Sequence, residues 1–229
     1  MKVLIAIETC NGQRTTHQQI RDTWLKDCPA DHVFFSGRRF PHPYTKDLPV
    51  EKDEVFLDFP DVDFLPGQLV NLLWKMDVLE HEWALEKGYD FIFHAHNDTY
   101  VVIPRLLKSG FEKYDWSGQL WPVHAMTCQM INGASGVWFN RKAMEFLIKA
   151  IRANPDLYLD MEATAEDWRV ARYLDGHIEP TGDNRYSVKE WPRPENDIIT
   201  YHHLQGGMKS LRILGELMAV HNAAKDIKS

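Results

Sequence analysis

The chain opens on Val3-Leu4-Ile5-Ala6-Ile7, five apolar residues in a row with no polar alternation. A strand with one wet face alternates, whereas an unbroken apolar run fits burial on both faces, as at the centre of a parallel sheet. Helices must then cover both faces, which restricts the chain to an α/β architecture. The run ends in the turn-rich Glu8-Thr9-Cys10-Asn11-Gly12.

The rest of the chain repeats this alternation. A helix is predicted from 15 or 16 to 26, with Ile20, Trp24 and Leu25 as its apolar stripe, then strands over 32–37 and 54–59. Three prolines make 38–49 a loop, and 58–66 is acidic and turn-like. The longest predicted helix is 68–87. Leu69, Leu72, Leu73, Met76, Leu79, Trp83 and Ala84 keep one buried face, and Gly88 follows as C-cap. Then comes Tyr89-Asp90-Phe91-Ile92-Phe93-His94-Ala95, a buried strand ending in a polar knot, His96-Asn97-Asp98. Further helices are predicted over 104–109, 141–152, 164–174 and 208–224, and strands over 115–120 and 198–201. Residues 182–195, with Trp191-Pro192-Arg193-Pro194 inside, read as loop. There is no repeat and no linker, so residues 1–229 are expected to form one domain with a mainly parallel sheet flanked by helices.

Composition removes several functions. A net charge of −7 argues against bulk electrostatic binding to nucleic acid, leaving only a local patch of Arg38, Arg39, Arg193, Lys209 and Arg212. No stretch approaches the ~20 apolar residues of a membrane span. Three cysteines, Cys10, Cys28 and Cys128, show no CxxC spacing, so a zinc cluster is not indicated. Neither GxGxxG nor a P-loop is present. The expectation is a cytoplasmic protein.

Ligands of open α/β sheets gather outside the carboxyl ends of strands. Asp98 and His202 both follow predicted strands, and a carboxylate with an imidazole suits a divalent ion such as Mn²⁺. Equally, Asp98 would cap its turn and His202 pack at the surface. Asp167, in the first turn of a helix, is either a base facing a cleft or a partner of the helix dipole. His94 and His96 point the same way along their strand, as a His-x-His metal pair or as two sheet-end histidines. Gly133-Ala134-Ser135-Gly136 reads as ligand approach or tight turn. Trp191 to Pro194 reads as substrate lid or stiff loop.

In order along the chain, these stretches resemble the β1,3-glycosyltransferases of the galactosyltransferase/Fringe family, closest to the branch of the core 1 O-glycan β1,3-galactosyltransferase. Ile20-Arg21-Asp22-Thr23-Trp24 resembles the family's Ile-Arg-x-Thr-Trp helix, with Cys28 where that branch has a cysteine. Asn71-Leu72-Leu73-Trp74-Lys75 is similar to Asn-Leu-Thr-x-Lys, and Ala95 to Val101 lies over Ala-Asp-Asp-Asp-Thr-Tyr-Val. Gly133 to Gly136 with Arg141-Lys142-Ala143 resembles Gly-Gly-Ala-Gly followed by Lys-x-Ala, and Glu166-Asp167 matches Glu-Asp. Gly182-Asp183-Asn184-Arg185 resembles Gly-Asp-Ser-Arg, and Ile199 to His203 with Met208 resembles Val-Ser-Phe-His-Tyr and a later Met.

The resemblance implies a GT-A fold and inverting transfer of a sugar from a UDP-sugar to a hydroxyl of a glycan, glycoprotein or small molecule, forming a β1,3 link. It implies Asp167 as general base and Mn²⁺ or another divalent cation on Asp98 and His202, with His96 a further candidate ligand. Nucleotide-sugar contacts fall to Thr9, Asn11, Arg14, Arg21, Lys75, His96, Asn97, Gly133 and Gly136. His96 and Asn97 stand where the family has two acids, so two formal negative charges are missing beside the diphosphate. That departure supports a different expectation, a non-catalytic sugar or nucleotide binder with a degenerate metal site. A transferase acting on modified bases of viral DNA is a third, less favoured because of the acidic charge. Cys10 and Cys28 would pair only in an oxidising setting. Lacking the anchor of animal Golgi members, the chain is expected to be microbial or viral.

Overall fold

The computed structural model describes residues 1–61, 73–121, 128–155, 166–187, 197–202 and 221. In chain order its elements are β1 (Val3–Glu8), α1 (His17–Asp22), β2 (Asp31–Ser36), β3 (Glu54–Phe56), α2 (Leu73–Glu86), β4 (Phe91–His96) and β5 (Tyr100–Val101). They continue with α3 (Ile103–Leu107), β6 (Trp116–Gly118), β7 (Leu120–Trp121), β8 (Met130–Ile131), β9 (Val137–Asn140) and α4 (Arg141–Ala153). α5 (Glu166–Leu174), β10 (Pro180–Gly182), β11 (Tyr186–Ser187) and β12 (Thr200–Tyr201) complete them.

A seven-stranded sheet runs β10-β6-β9-β4-β1-β2-β3. β1 pairs in parallel with both β2 and β4, while β9 is antiparallel to β4 and β6. The opening apolar run is therefore central, and its burial divides by parity. Leu4 and Ala6 join the cluster containing Val78 of α2, Leu147 of α4 and Ala171 of α5. Ile5 and Ile7 join the opposite cluster, with Ile20 of α1 and Leu106 of α3. The expected mainly parallel sheet with helices on both faces is what the chain forms.

Differences from expectation are local. The first helix is broken into a 3-10 turn at Asn11–Thr16 and a short α1 ending at Asp22. Thr23 ends it, its hydroxyl donating back to Gln19 O at 2.7 Å, so side chain replaces backbone as the partner of a terminal carbonyl. The expected strand over 115–120 splits into β6 and β7, because Gln119 O accepts from Asn132 N. The stretch expected as loop from 182 holds the end of β10 and all of β11. The Trp191–Pro194 segment and all but residue 221 of the predicted 208–224 helix lie outside the described residues, as does the start of the 68–87 helix.

Cys10 and Cys28 are both free thiols. Cys10 lies beyond the carboxyl end of β1 and Cys28 before the amino end of the parallel β2. About six residues of strand, at ~3.3 Å each, separate those ends, too far for a disulfide.

A buried ion network fixes the segment after β1. Arg14 donates to Glu54 Oε2 at 2.6 Å and His17 Nδ1 meets Glu54 Oε1 at 2.7 Å, on side chains 2% to 5% exposed. Arg21 forks onto Asp53 at 2.7 and 2.8 Å. Burial alone would raise the Glu54 carboxyl, but the bonds from His17 and Arg14 outweigh it and hold the pKa at about 2. The native pKa is below the unfolded one, so the stabilisation is present above about pH 4.5 and fades as pH falls toward 2. Glu54→Gln is expected to cost about 3 kcal/mol at neutral pH, because Arg14 is left buried without its carboxylate. Urea unfolding of both proteins should show that difference shrinking toward pH 2. A difference independent of pH would assign the cost to packing.

Candidate functional site

The site is built where β1 and β4 end together. Glu8 and His96 are register partners across this parallel pair, and His94 pairs with Ala6. Period-two alternation puts Glu8, His94 and His96 on one face, the face α2 covers. Glu8 Oε2 is 3.0 Å from His94 Nε2 and 3.3 Å from His96 Nε2. From α2, the fully buried Glu80 meets His94 Nδ1 at 2.9 Å. Burial would raise the Glu8 carboxyl, but both histidines hold it far below the carboxylate range. Burial would lower His94, but Glu80 and Glu8 push it well up; burial would lower His96 too, and Glu8 raises it instead.

One turn on, Asp98 and His202 come together although 104 positions apart. Asp98 Oδ1 lies 3.3 Å from His202 Nδ1. That oxygen is buried and accepts no hydrogen bond. Burial would raise its carboxyl; His202 and His96 nearby lower it instead. Thr99 Oγ1 donates to Ala134 O at 3.0 Å, so in its 3.0 Å contact with His202 Nδ1 the ring nitrogen is the donor. When the ring is neutral, Nε2 then carries the lone pair. A buried carboxylate oxygen without a hydrogen bond, beside an imidazole oriented by its Nδ1, suits a divalent cation.

The small-residue turn joins these groups to Asp167. Asn132 caps it, accepting from Ser135 N at 3.2 Å. Ala134 O and Ser135 O take the hydroxyls of Thr99 and Thr200, which tie the turn to the segments carrying Asp98 and His202. A Cβ on Gly133 would stand 3.3 Å from Asp167 Oδ1, so glycine lets the carboxylate of α5 lie against the turn. Asp77, His94, His96, Gly133 and Asp167 line one narrow pocket. Gly136 has φ +93°, and a Cβ there would sit 2.3 Å from the Phe93 ring, so its role is packing under the turn.

Asn97 docks the loop after β1. Its amide donates to Gln13 Oε1 at 2.6 Å and Thr9 Oγ1 at 3.3 Å. Asn11 is buried, donating to Asp61 Oδ2 at 2.7 Å, and Arg14 and Arg21 are bound by Glu54 and Asp53. These four side chains are engaged in holding the loop after β1. The Lys75 side chain lies outside the described residues. Glu8 and Glu80 carried unused signals. Glu8 is the first polar residue at a strand's carboxyl end, and Glu80 is an acid on the apolar stripe between Met76 and Ala84.

No protein-family model matches the sequence, and no curated protein matches it. Solved structures do. One is a glycosyltransferase involved in the glycosylation of the major capsid of PBCV-1, with TM-score 0.60 and 10% identity over 96% of this chain and 100% of that one. The fold is a GT-A glycosyltransferase fold. An active-site mutant of LgtC is similar at TM-score 0.54 and 9% identity, over 100% of this chain and 97% of that chain. GlyE of Streptococcus pneumoniae TIGR4 is similar at 0.50 and 10%, with this chain spanning 65% of it. Within this GT-A fold, the strand-end position of the cluster is where ligands of open α/β sheets bind. Among the described residues, no helix is long and apolar enough to cross a membrane.

Proposed function

We propose that this chain is an inverting glycosyltransferase, transferring a sugar from a UDP-sugar to an acceptor hydroxyl of a glycan, glycoprotein or small molecule. The observation that carries the reading is the Gly133–Ser135 turn. It ties a helix-borne carboxylate, Asp167, to a carboxylate–imidazole pair, Asp98 and His202. Sugar transfer needs that combination. The acceptor oxygen attacks the anomeric carbon as the bond to the diphosphate breaks. Asp167 takes the acceptor's proton during the attack. A divalent cation such as Mn²⁺, when held by Asp98 and His202, stabilises the charge on the departing diphosphate.

Thr9, Asn11, Arg14, Arg21 and Asn97 support the nucleotide by fixing the loop it lies on. Gly133 sets the distance between base and turn, and Gly136 keeps that turn seated. The β1,3 linkage and the family branch rest on the motif resemblance, and the capsid-glycosylating neighbour supports a microbial or viral setting. A DNA acceptor is disfavoured by the net charge of −7.

A thermal-shift screen of nucleotide sugars with Mn²⁺ tests the donor. A UDP-sugar at 100 times its Kd should stabilise the chain by about 2.7 kcal/mol, on the order of 5–10 °C for a chain this size. Equal shifts from all nucleotide sugars, or none from any, would sink the UDP assignment.

A further inference from the structure

We propose that Glu8, His94 and His96 form a metal centre of their own, a two-histidine, one-carboxylate site for a divalent transition ion. It is separate from the Asp98–His202 pair and does not depend on the sugar-transfer reading. Among the described residues, these three are the one group of His, Cys, Asp and Glu side chains whose ligand atoms all lie within 4.8 Å of one another. Glu8 Oε2 is 3.0 and 3.3 Å from the two imidazole Nε2 atoms. Ligands bonded to one ion at ~2.0–2.2 Å stand about 3.0–3.6 Å from their neighbours. Both carboxylate–imidazole distances therefore already have the spacing of a coordination sphere, and the two imidazole donors lie within 4.8 Å of each other.

The backbone explains why. Two adjacent parallel strands carry all three, with Glu8 and His96 in register and His94 two residues earlier on the same face. Strand-borne ligands are held more precisely than loop-borne ones. A second observation points the same way. Metal-binding histidines usually give their other ring N–H to a carboxylate, and His94 Nδ1 meets the fully buried Glu80 at 2.9 Å. Glu80 fixes the ring so that Nε2 faces Glu8.

Three protein ligands leave a coordination position open, the pattern of catalytic rather than structural sites. The opening is toward the pocket that His94 and His96 share with Gly133 and Asp167, which holds about 20 Å³ of free space. That is room for one water. Two imidazoles and one carboxylate favour the Zn²⁺, Fe²⁺ and Co²⁺ class over oxygen-seeking ions such as Mg²⁺. The competing arrangement is a buried ion cluster without metal, in which two protonated histidines balance Glu8 and Glu80.

Chelator-treated protein titrated with Co²⁺ decides between them, read by its visible absorption and by X-ray absorption for nitrogen ligands. The Asp98→Ala/His202→Ala variant should bind one Co²⁺ per chain with two imidazole ligands. Adding His96→Ala, the most exposed ligand of the three, should weaken that binding at least 100-fold. Adding Glu80→Gln should weaken it ~10–100-fold. No Co²⁺ bound by the first variant, or equal binding after loss of His96, overturns the proposal. Should that variant not fold by circular dichroism, wild type against His94→Ala makes the same distinction, because His94 faces Glu8 and Glu80 and is no candidate ligand of the Asp98–His202 pair. Loss of one Co²⁺ equivalent supports the centre, and an unchanged count overturns it. Failure of the nucleotide-sugar screen would leave this result standing, and the reverse also holds.

Discussion

Asp98→Ala is expected to lower turnover of the UDP-sugar by on the order of 10³-fold. The departing diphosphate gains charge as its bond to the sugar breaks, and a bound cation at that oxygen supplies several kcal/mol of stabilisation. About 4 kcal/mol corresponds to three powers of ten. Asp98 supplies a buried oxygen 3.3 Å from His202 Nδ1, so a cation there takes over from the imidazole the balancing of the carboxylate's charge. UDP-sugar hydrolysis and transfer, with and without Mn²⁺, measure the effect. Wild-type turnover that disappears in the variant excludes a protein that only binds its ligand. Turnover in Asp98→Ala that matches wild type would show that this pair holds no catalytic cation.

Asp167→Asn should remove transfer by a comparable factor, about 10³-fold, while leaving UDP binding within about twofold. General bases contribute ~10²–10⁴, and asparagine keeps the shape of the carboxylate while losing its ability to accept the proton. An isosteric side chain fits the same space beside Gly133, where a Cβ would stand 3.3 Å from Asp167 Oδ1. Transfer rates under saturating donor, with UDP affinity by calorimetry, separate the two roles. Retained transfer would exclude Asp167 as the base. Loss of UDP affinity along with transfer would make it a binding or packing residue instead.

Much of the frame was legible locally. The unbroken Val3–Ile7 run announced a strand buried on both faces, and the structure covers one face with α2, α4 and α5 and the other with α1 and α3. The α4 pattern was equally clear, predicted at 141–152 and found at Arg141–Ala153, where Asn140 accepts from Ala143 N as N-cap. The first helix was misjudged because side-chain hydroxyls compete with backbone partners, and periodicity does not register that competition. The departure at His96 and Asn97 was visible in the motif but not its consequence. His96 turns its Nε2 to Glu8, and Asn97 gives its amide to the loop after β1.

Side-chain periodicity is a property of residues two to four positions apart, so residue order alone carries strands, helix stripes and the polar knot at a strand's end. The site joins residues far apart in the chain, such as Glu8 with His94, 86 positions apart, and Asp98 with His202, 104 apart. Their meeting depends on β4 lying beside β1 in a given register and on one small-residue turn accepting two threonine hydroxyls. Strand neighbours are set by chain crossover and by burial summed over the whole sheet. Spacing along the chain does not encode either, which is why Asp98 and His202 read equally well as turn cap and surface histidine until the fold placed them 3.3 Å apart.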